Sequence, residues 1–136
     1  MTDSLTVQQA ENYLLSKPET SLYYPFGDDC KVFRVKKKMF ATITHGKTAK
    51  SAKTSDEAKT YFWMNIKCDP DEAVMLRDIF PAVIPGYHMN KANWNSIILD
   101  GSIPKGEIER MIDNSYMLVV SKMTKKEQTS ILLHLT

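Results

Sequence analysis

The chain has 136 residues, 43% of them apolar and 25% charged, a balance that excludes disordered and fibrous classes. That length predicts one domain, residues 1–136, with a single core burying roughly 68% of the unfolded chain's surface. No apolar run approaches the ~18 residues of a membrane span, and Met1-Thr2-Asp3-Ser4 lacks the basic and apolar segments of a secretory leader. A cytosolic protein with no membrane partner is therefore expected.

The net charge of +2 hides an uneven distribution. Residues 31–55 hold eight basic side chains and no acidic one: Lys31, Arg34, Lys36, Lys37, Lys38, Lys47, Lys50 and Lys53. The carboxylates gather elsewhere, at Asp28-Asp29, around Asp69, Asp71 and Glu72, and at Glu107 and Glu109. A one-signed segment in a near-neutral chain predicts a local field directed at an anion. Cys30 and Cys68 stand in no C-x-x-C pair. They read as free, small, partly buried residues rather than a zinc or redox site.

Thr6 and Gln9 form a capping box that starts a helix with Val7, Ala10, Tyr13 and Leu14 on one face, and Pro18 stops it. Residues 23–29 form a turn-rich aromatic link carrying Tyr24 and Phe26. A β-hairpin follows over residues 31–44, its turn at Lys36-Lys37-Lys38. Lysines at such a tip also discourage edge pairing. Residues 45–56 are small, polar and basic, and read as a flexible loop with Lys47, Lys50 and Lys53 three apart. Gly46-Lys47-Thr48 has the end of a phosphate-loop motif, but the position five residues earlier is Ala41 instead of glycine, and the motif fails.

Residues 60–68 make the clearest strand, rich in aromatic side chains. Asp69, Pro70 and Glu72 predict a boxed helix start, with Ala73, Leu76, Ile79 and Phe80 facing inward and the helix ending at Pro81. Two short extended runs flank "PGYHMNKANW", residues 85–94. Pro104 opens a long helix with Ile108, Met111, Ile112, Ser115, Tyr116 and Val119 on its inner side. Thr124 and Glu127 form another capping box, starting a terminal helix with Ile131, Leu132 and Leu135. The order α-β-β-β-α-β-β-α-α predicts a two-layer α+β domain, an antiparallel sheet with helices packed on one face.

The decamer is chemically the densest stretch. Its His88 has neither a nucleophile nor an orienting carboxylate beside it. His45, His88 and His134 are too scattered for a metal centre. No catalytic residue, metal ligand or cofactor is assigned. The stretch is expected to be a turn held by its own polar groups, His88 and Asn90 serving the backbone and Trp94 filling the core edge. It also presents Tyr87, His88, Lys91 and Trp94 to a partner.

Four blocks, "YPFGDDCKVFRVKKKMFA", "MNIKCDPDEAVMLRD", "PGYHMNKANWNSIILDG" and "DNSYMLVV", together resemble the MmcQ/YjbR family of small bacterial proteins. The resemblance implies a fold similar to the frataxin/CyaY group, described as a "double wing" arrangement like those of DNA-binding proteins. Frataxin-like proteins hold iron on acidic groups of the first helix and strand. Here the first helix offers only Glu11 within its body and the first strand is basic, so iron delivery is rejected.

Three functions are therefore ranked. The first is a non-catalytic nucleic-acid-binding domain. Arg34, Lys36, Lys37 and Lys38 would form a wing against phosphates, Lys47, Lys50 and Lys53 an arm, and Lys67 and Lys91 part of the same sheet face. Asn90, Asn93 and Asn95 stand as candidate base readers. The second is a protein or peptide interaction module using Tyr24, Phe26, Tyr87, His88, Asn90 and Trp94. The third is a small-molecule enzyme centred near His88. The first requires that the positive side chains converge on one surface.

Overall fold

The computed structural model describes residues 7–87 and 89–133. Its elements run α1 (Val7–Leu15), β1 (Thr20–Tyr23), β2 (Cys30–Val35), β3 (Lys38–His45), β4 (Phe62–Lys67), α2 (Pro70–Ile79), β5 (Val83–Pro85), β6 (Trp94–Ile98), α3 (Lys105–Val120) and α4 (Lys125–Leu133), with single 3₁₀ turns at Gly46–Thr48 and Ala58–Thr60. The strands form one antiparallel sheet in the order β1-β2-β3-β4-β6-β5. This is the α+β class expected, with one strand more than the sequence suggested. β1 lies in a stretch to which no element was assigned, between Pro18 and the 23–29 link, and shares only Tyr23 with that link. Glu19 turns the chain with a φ of 57°, and Thr20 to Tyr23 then pair with Val35 to Val32.

Cross-strand partners share a face of a sheet. Phe33, Ala41 and Ile66 therefore point one way, as do Ile43, Met64 and Ile97, and none of these six is more than 2% exposed. Helix α3 lies across this face over β2, β3 and β4, while α1 packs on β1 and α3, and α2 on β5 and β6. The inner residues expected on α3, Ile108, Met111, Ile112, Ser115, Tyr116 and Val119, are all buried. The opposite, outer face carries no α3, and loops cover it only in part.

One irregularity ties the layers together. Phe33 pairs with Ala41 but Arg34 with Met39, which leaves Phe40 as an extra residue in β3. Phe40 and Ala41 are consequently both fully buried although adjacent. The Ser115 hydroxyl fills the resulting gap: it donates to the Phe40 carbonyl at 2.7 Å and accepts from the Lys67 amide at 2.9 Å.

The ends of the helices correct several expectations. The Thr6 cap, His134 and Leu135 lie outside the described residues. Asp69 does stand at the N-cap of α2 and Pro70 at its first turn, but Asp69 makes no capping hydrogen bond. Glu72 instead accepts from Asn114 at 3.0 Å and Arg110 at 3.4 Å, so tertiary partners displace the box. Ile79 is 57% exposed rather than inward, and Leu132 is likewise exposed. The Thr124 box is present, with Glu127 accepting from the Thr124 amide and its own amide donating to the Thr124 hydroxyl.

Candidate functional site

The outer face has a polar line across its middle. Thr42, Asn65 and Ser96 are register partners on β3, β4 and β6, and all three are buried. Asn65 donates to the Thr42 hydroxyl at 3.0 Å and accepts from Ser96, whose oxygen also receives the Tyr87 amide at 3.0 Å. Over this line lies a groove of about 460 Å³, lined by Phe26, Cys30, Met39, Thr42, Thr44, Thr48, Asn65, Tyr87 and Met89. Burial pushes the Cys30 thiol above its ordinary ionisation range, so it stays protonated near neutrality and is a weak nucleophile.

Two connections wall the groove. The turn through residues 86, 87 and 89–93 is held partly by its own polar groups and partly by Arg77 of α2. Asn90 accepts from the Ala92 amide at 2.9 Å, the Lys91 ammonium donates to the Gly86 carbonyl at 3.1 Å, and Arg77 donates to the Lys91 carbonyl. Gly86 is required at the bend, since a Cβ there would meet the Trp94 backbone oxygen at 2.9 Å. Tyr87 turns inward: its ring meets Trp63 edge to face at 6.1 Å, and its hydroxyl hydrogen-bonds Ser51 at 2.8 Å. That contact joins the turn to the 46–61 connection, which folds back through Trp63 donating to the Ala58 carbonyl at 2.8 Å. The connection was expected to be a flexible loop, but it is anchored by buried Ala49 and Ala58.

The cations divide between two ends of the sheet. Residues 36 and 37, between β2 and β3, lie at the end where β4 finishes and β6 begins, so Lys37, Lys38, Lys67 and Lys91 share that end. Arg34 and Lys67 are on the outer face there, flanking Met39. Arg34 stacks over Tyr23 at 4.1 Å. Lys47 follows the opposite end of β3, and Lys50 and Lys53 belong to the 46–61 connection that starts there. The continuous surface that the nucleic-acid reading required is not formed, since the hairpin and Lys47 stand at opposite ends of β3, and that reading keeps only the group of Arg34, Lys37, Lys38 and Lys67. Lys36 is also spoken for: it donates to Glu19 at 2.9 Å, and Ser130 holds the other carboxylate oxygen at 2.8 Å. Lys31 pairs with buried Glu11.

Other candidates are placed differently from expectation. Trp94 is 9% exposed and Asn95 is fully buried. Asn95 accepts from Arg77 at 2.7 Å and donates to the Ala73 carbonyl at 3.2 Å, so it reads no base. The Asn90 side-chain oxygen is committed to its own turn. Phe26, by contrast, is 74% exposed and Tyr24 46%. His88 lies outside the described residues. The groove floor of Thr42, Thr44 and Asn65 went unrecognised in the sequence, where it shows only as threonines and an asparagine alternating within strands.

The YjbR family model matches residues 15–118, a span that includes all six strands. The chain belongs to the YjbR family. It is similar to YbdF of Escherichia coli O157:H7, with 29% identity over 124 residues covering 91% of this chain and 92% of YbdF. It is 42% identical over 55 residues to YyaQ of Bacillus subtilis, covering 40% and 46% of the two chains. A crystal structure of the Deinococcus radiodurans protein DR2400, with a DUF419 domain, superimposes with a TM-score of 0.77 at 29% identity, covering 96% of this chain and 90% of that one. A Pseudomonas syringae crystal structure gives 0.72 at 29% identity, covering 84% and 98%. This YjbR-family chain brings no cluster of three or more His, Cys, Asp or Glu side chains to a metal-binding arrangement among its described residues. No helix among those residues is long and apolar enough to cross a membrane. What its outer face offers a ligand is hydrogen bonding from hydroxyls and amides, apolar walls, and positive charge at the margin.

Proposed function

We propose that this YjbR-family protein binds nucleic acid at the end of the sheet where Arg34, Lys37, Lys38 and Lys67 stand together. The observation that supports this is their placement: Arg34 and Lys67 share the outer face, and the exposed Lys37 and Lys38 extend from the adjoining hairpin. None of the four side chains forms an ion pair with a described carboxylate. Lysines in that state gain affinity by releasing the counterions condensed on a phosphate chain. The hairpin is then the wing of a double-wing arrangement, with Lys37 and Lys38 rather than Lys36 at its working edge. The peptide-module reading is weaker, because Tyr87 and Trp94 pack inward and leave it Tyr24 and Phe26.

Anisotropy of a labelled random-sequence duplex across a salt series tests the reading. Replacing Lys37 and Lys38 with Ala lowers the logarithmic salt slope by up to about 1.8 units if both touch phosphate. Lys36→Ala changes it less, since Glu19 already neutralises that ammonium. An unchanged slope in the double variant removes the hairpin from the interface. No binding to duplex or single strand at low salt overturns the proposal.

A further inference from the structure

We infer that the outer-face groove holds one unpaired base of a bound strand, so that the protein selects single-stranded over duplex nucleic acid. This rests on the nucleic-acid reading and adds the ligand of the groove. About 460 Å³ lies within the range of small-molecule sites, roughly 300–1,000 Å³. The floor has the mixed donor and acceptor character that a base edge requires. Asn65 commits one amide hydrogen to Thr42 and one lone-pair direction of its oxygen to Ser96, which leaves one of each. The Thr42 hydroxyl accepts from Asn65 and donates to no described residue, and the Thr44 hydroxyl has no described partner. The walls suit a flat ring: Phe26 is largely exposed and available to stack, and the Met39 and Met89 thioethers conform to an aromatic edge.

The margin supplies the complementary charge. Met39 lies on the floor's β3 strand directly opposite Arg34, and Lys67 is two residues beyond Asn65 on the same face of β4. A base stacked on Phe26 over the Thr42 and Asn65 floor has two cations, Arg34 and Lys67, at the margin of its groove for its phosphate. A paired base cannot take this position, because its hydrogen-bonding edge and both of its faces are occupied within the duplex. The adjoining thiol of Cys30 adds apolar lining.

The experiment compares one labelled oligonucleotide alone and annealed to its complement, with a nucleoside monophosphate as competitor, at fixed salt. The single strand is expected to bind at least tenfold more tightly than the duplex. Phe26→Ala, at an exposed position, and Thr44→Val, near-isosteric, each weaken single-strand binding about tenfold and leave duplex binding unchanged. Melting curves verify that both variants stay folded. Equal affinity for the two forms, with both variants unaffected, overturns the groove assignment while the phosphate-binding end stands. A monophosphate that binds as tightly as the strand also overturns it, because the ligand is then a free nucleotide. Failure to bind either form overturns this inference together with the function beneath it.

Discussion

Ser115 is a small polar residue on the buried side of a long helix, and its role is set by the extra residue in β3. Its hydroxyl serves one backbone acceptor and one backbone donor that the interrupted ladder leaves facing each other. Ser115→Ala should cost about 2–3 kcal/mol, since both groups lose their partner in a dry setting. Urea denaturation should show a lower midpoint with an unchanged slope; wild-type stability would mean that the bulge finds other partners. Asn95 teaches the converse at the same scale. It stood with Asn90 and Asn93 as a candidate base reader. Its true partners, Arg77 and the Ala73 carbonyl, lie 18 and 22 residues earlier, beyond the reach of any local pattern.

Among the elements, the 46–61 connection departs furthest from expectation. Its composition, rich in Lys, Ser and Thr, is that of a solvated loop, yet Gly46 sits in a crowded corner. A Cβ there would stand 2.7 Å from the Trp63 indole nitrogen, 2.8 Å from the Lys59 Cα and 2.9 Å from the Tyr61 oxygen. Two of those neighbours are backbone and cannot swing away. Gly46→Ala should therefore destabilise the fold by roughly 1–3 kcal/mol. Hydrogen exchange at the Gly46 amide, bonded to the Tyr61 carbonyl at 2.8 Å, should accelerate ahead of the β3–β4 ladder. Uniform protection in the variant would show that the connection tolerates the methyl group. The helices were more legible. α3 and the start of α4 follow from periodicity and a capping box, whereas the α2 box is lost to Arg110 and Asn114.

At the scale of the molecule, two buried acids contribute to a loss of stability at alkaline pH. Burial pushes the Cys68 thiol from 9.0 up to about 12, and burial, with Glu19 nearby, pushes the Tyr116 phenol from 10.0 up to about 12. Both groups hold their protons more tightly in the fold than in the unfolded chain. Their stabilisation is thus complete below the unfolded values and is lost as pH rises from about 9 towards 12. Melting temperature should fall through that window. Tyr116→Phe, which removes a 2.6 Å hydrogen bond to the Pro18 carbonyl, should cost about 1 kcal/mol near neutrality and show a shallower alkaline decline. A decline as steep as that of the wild type would exclude the phenol as a contributor. Charge is partitioned on the same scale: Lys36 and Lys31 are matched by carboxylates from β1's approach and from α1, while the hairpin lysines and Lys47 stand at opposite ends of β3.

Family membership, the antiparallel sheet, the inner face of α3 and the cap of α4 were available from the sequence because each is written in ordered blocks, alternation or spacing within a few residues. The strand β1 was not, since four residues between turn-formers acquire strand geometry only by pairing with β2. Nor was the site. Lys36 meets Glu19 across 17 residues, Tyr87 meets Ser51 across 36, and Ser115 meets Phe40 across 75. Which cations remain available, which aromatic rings turn inward and where a groove opens are decided by such long-range contacts, because a side chain's freedom depends on what the fold sets against it.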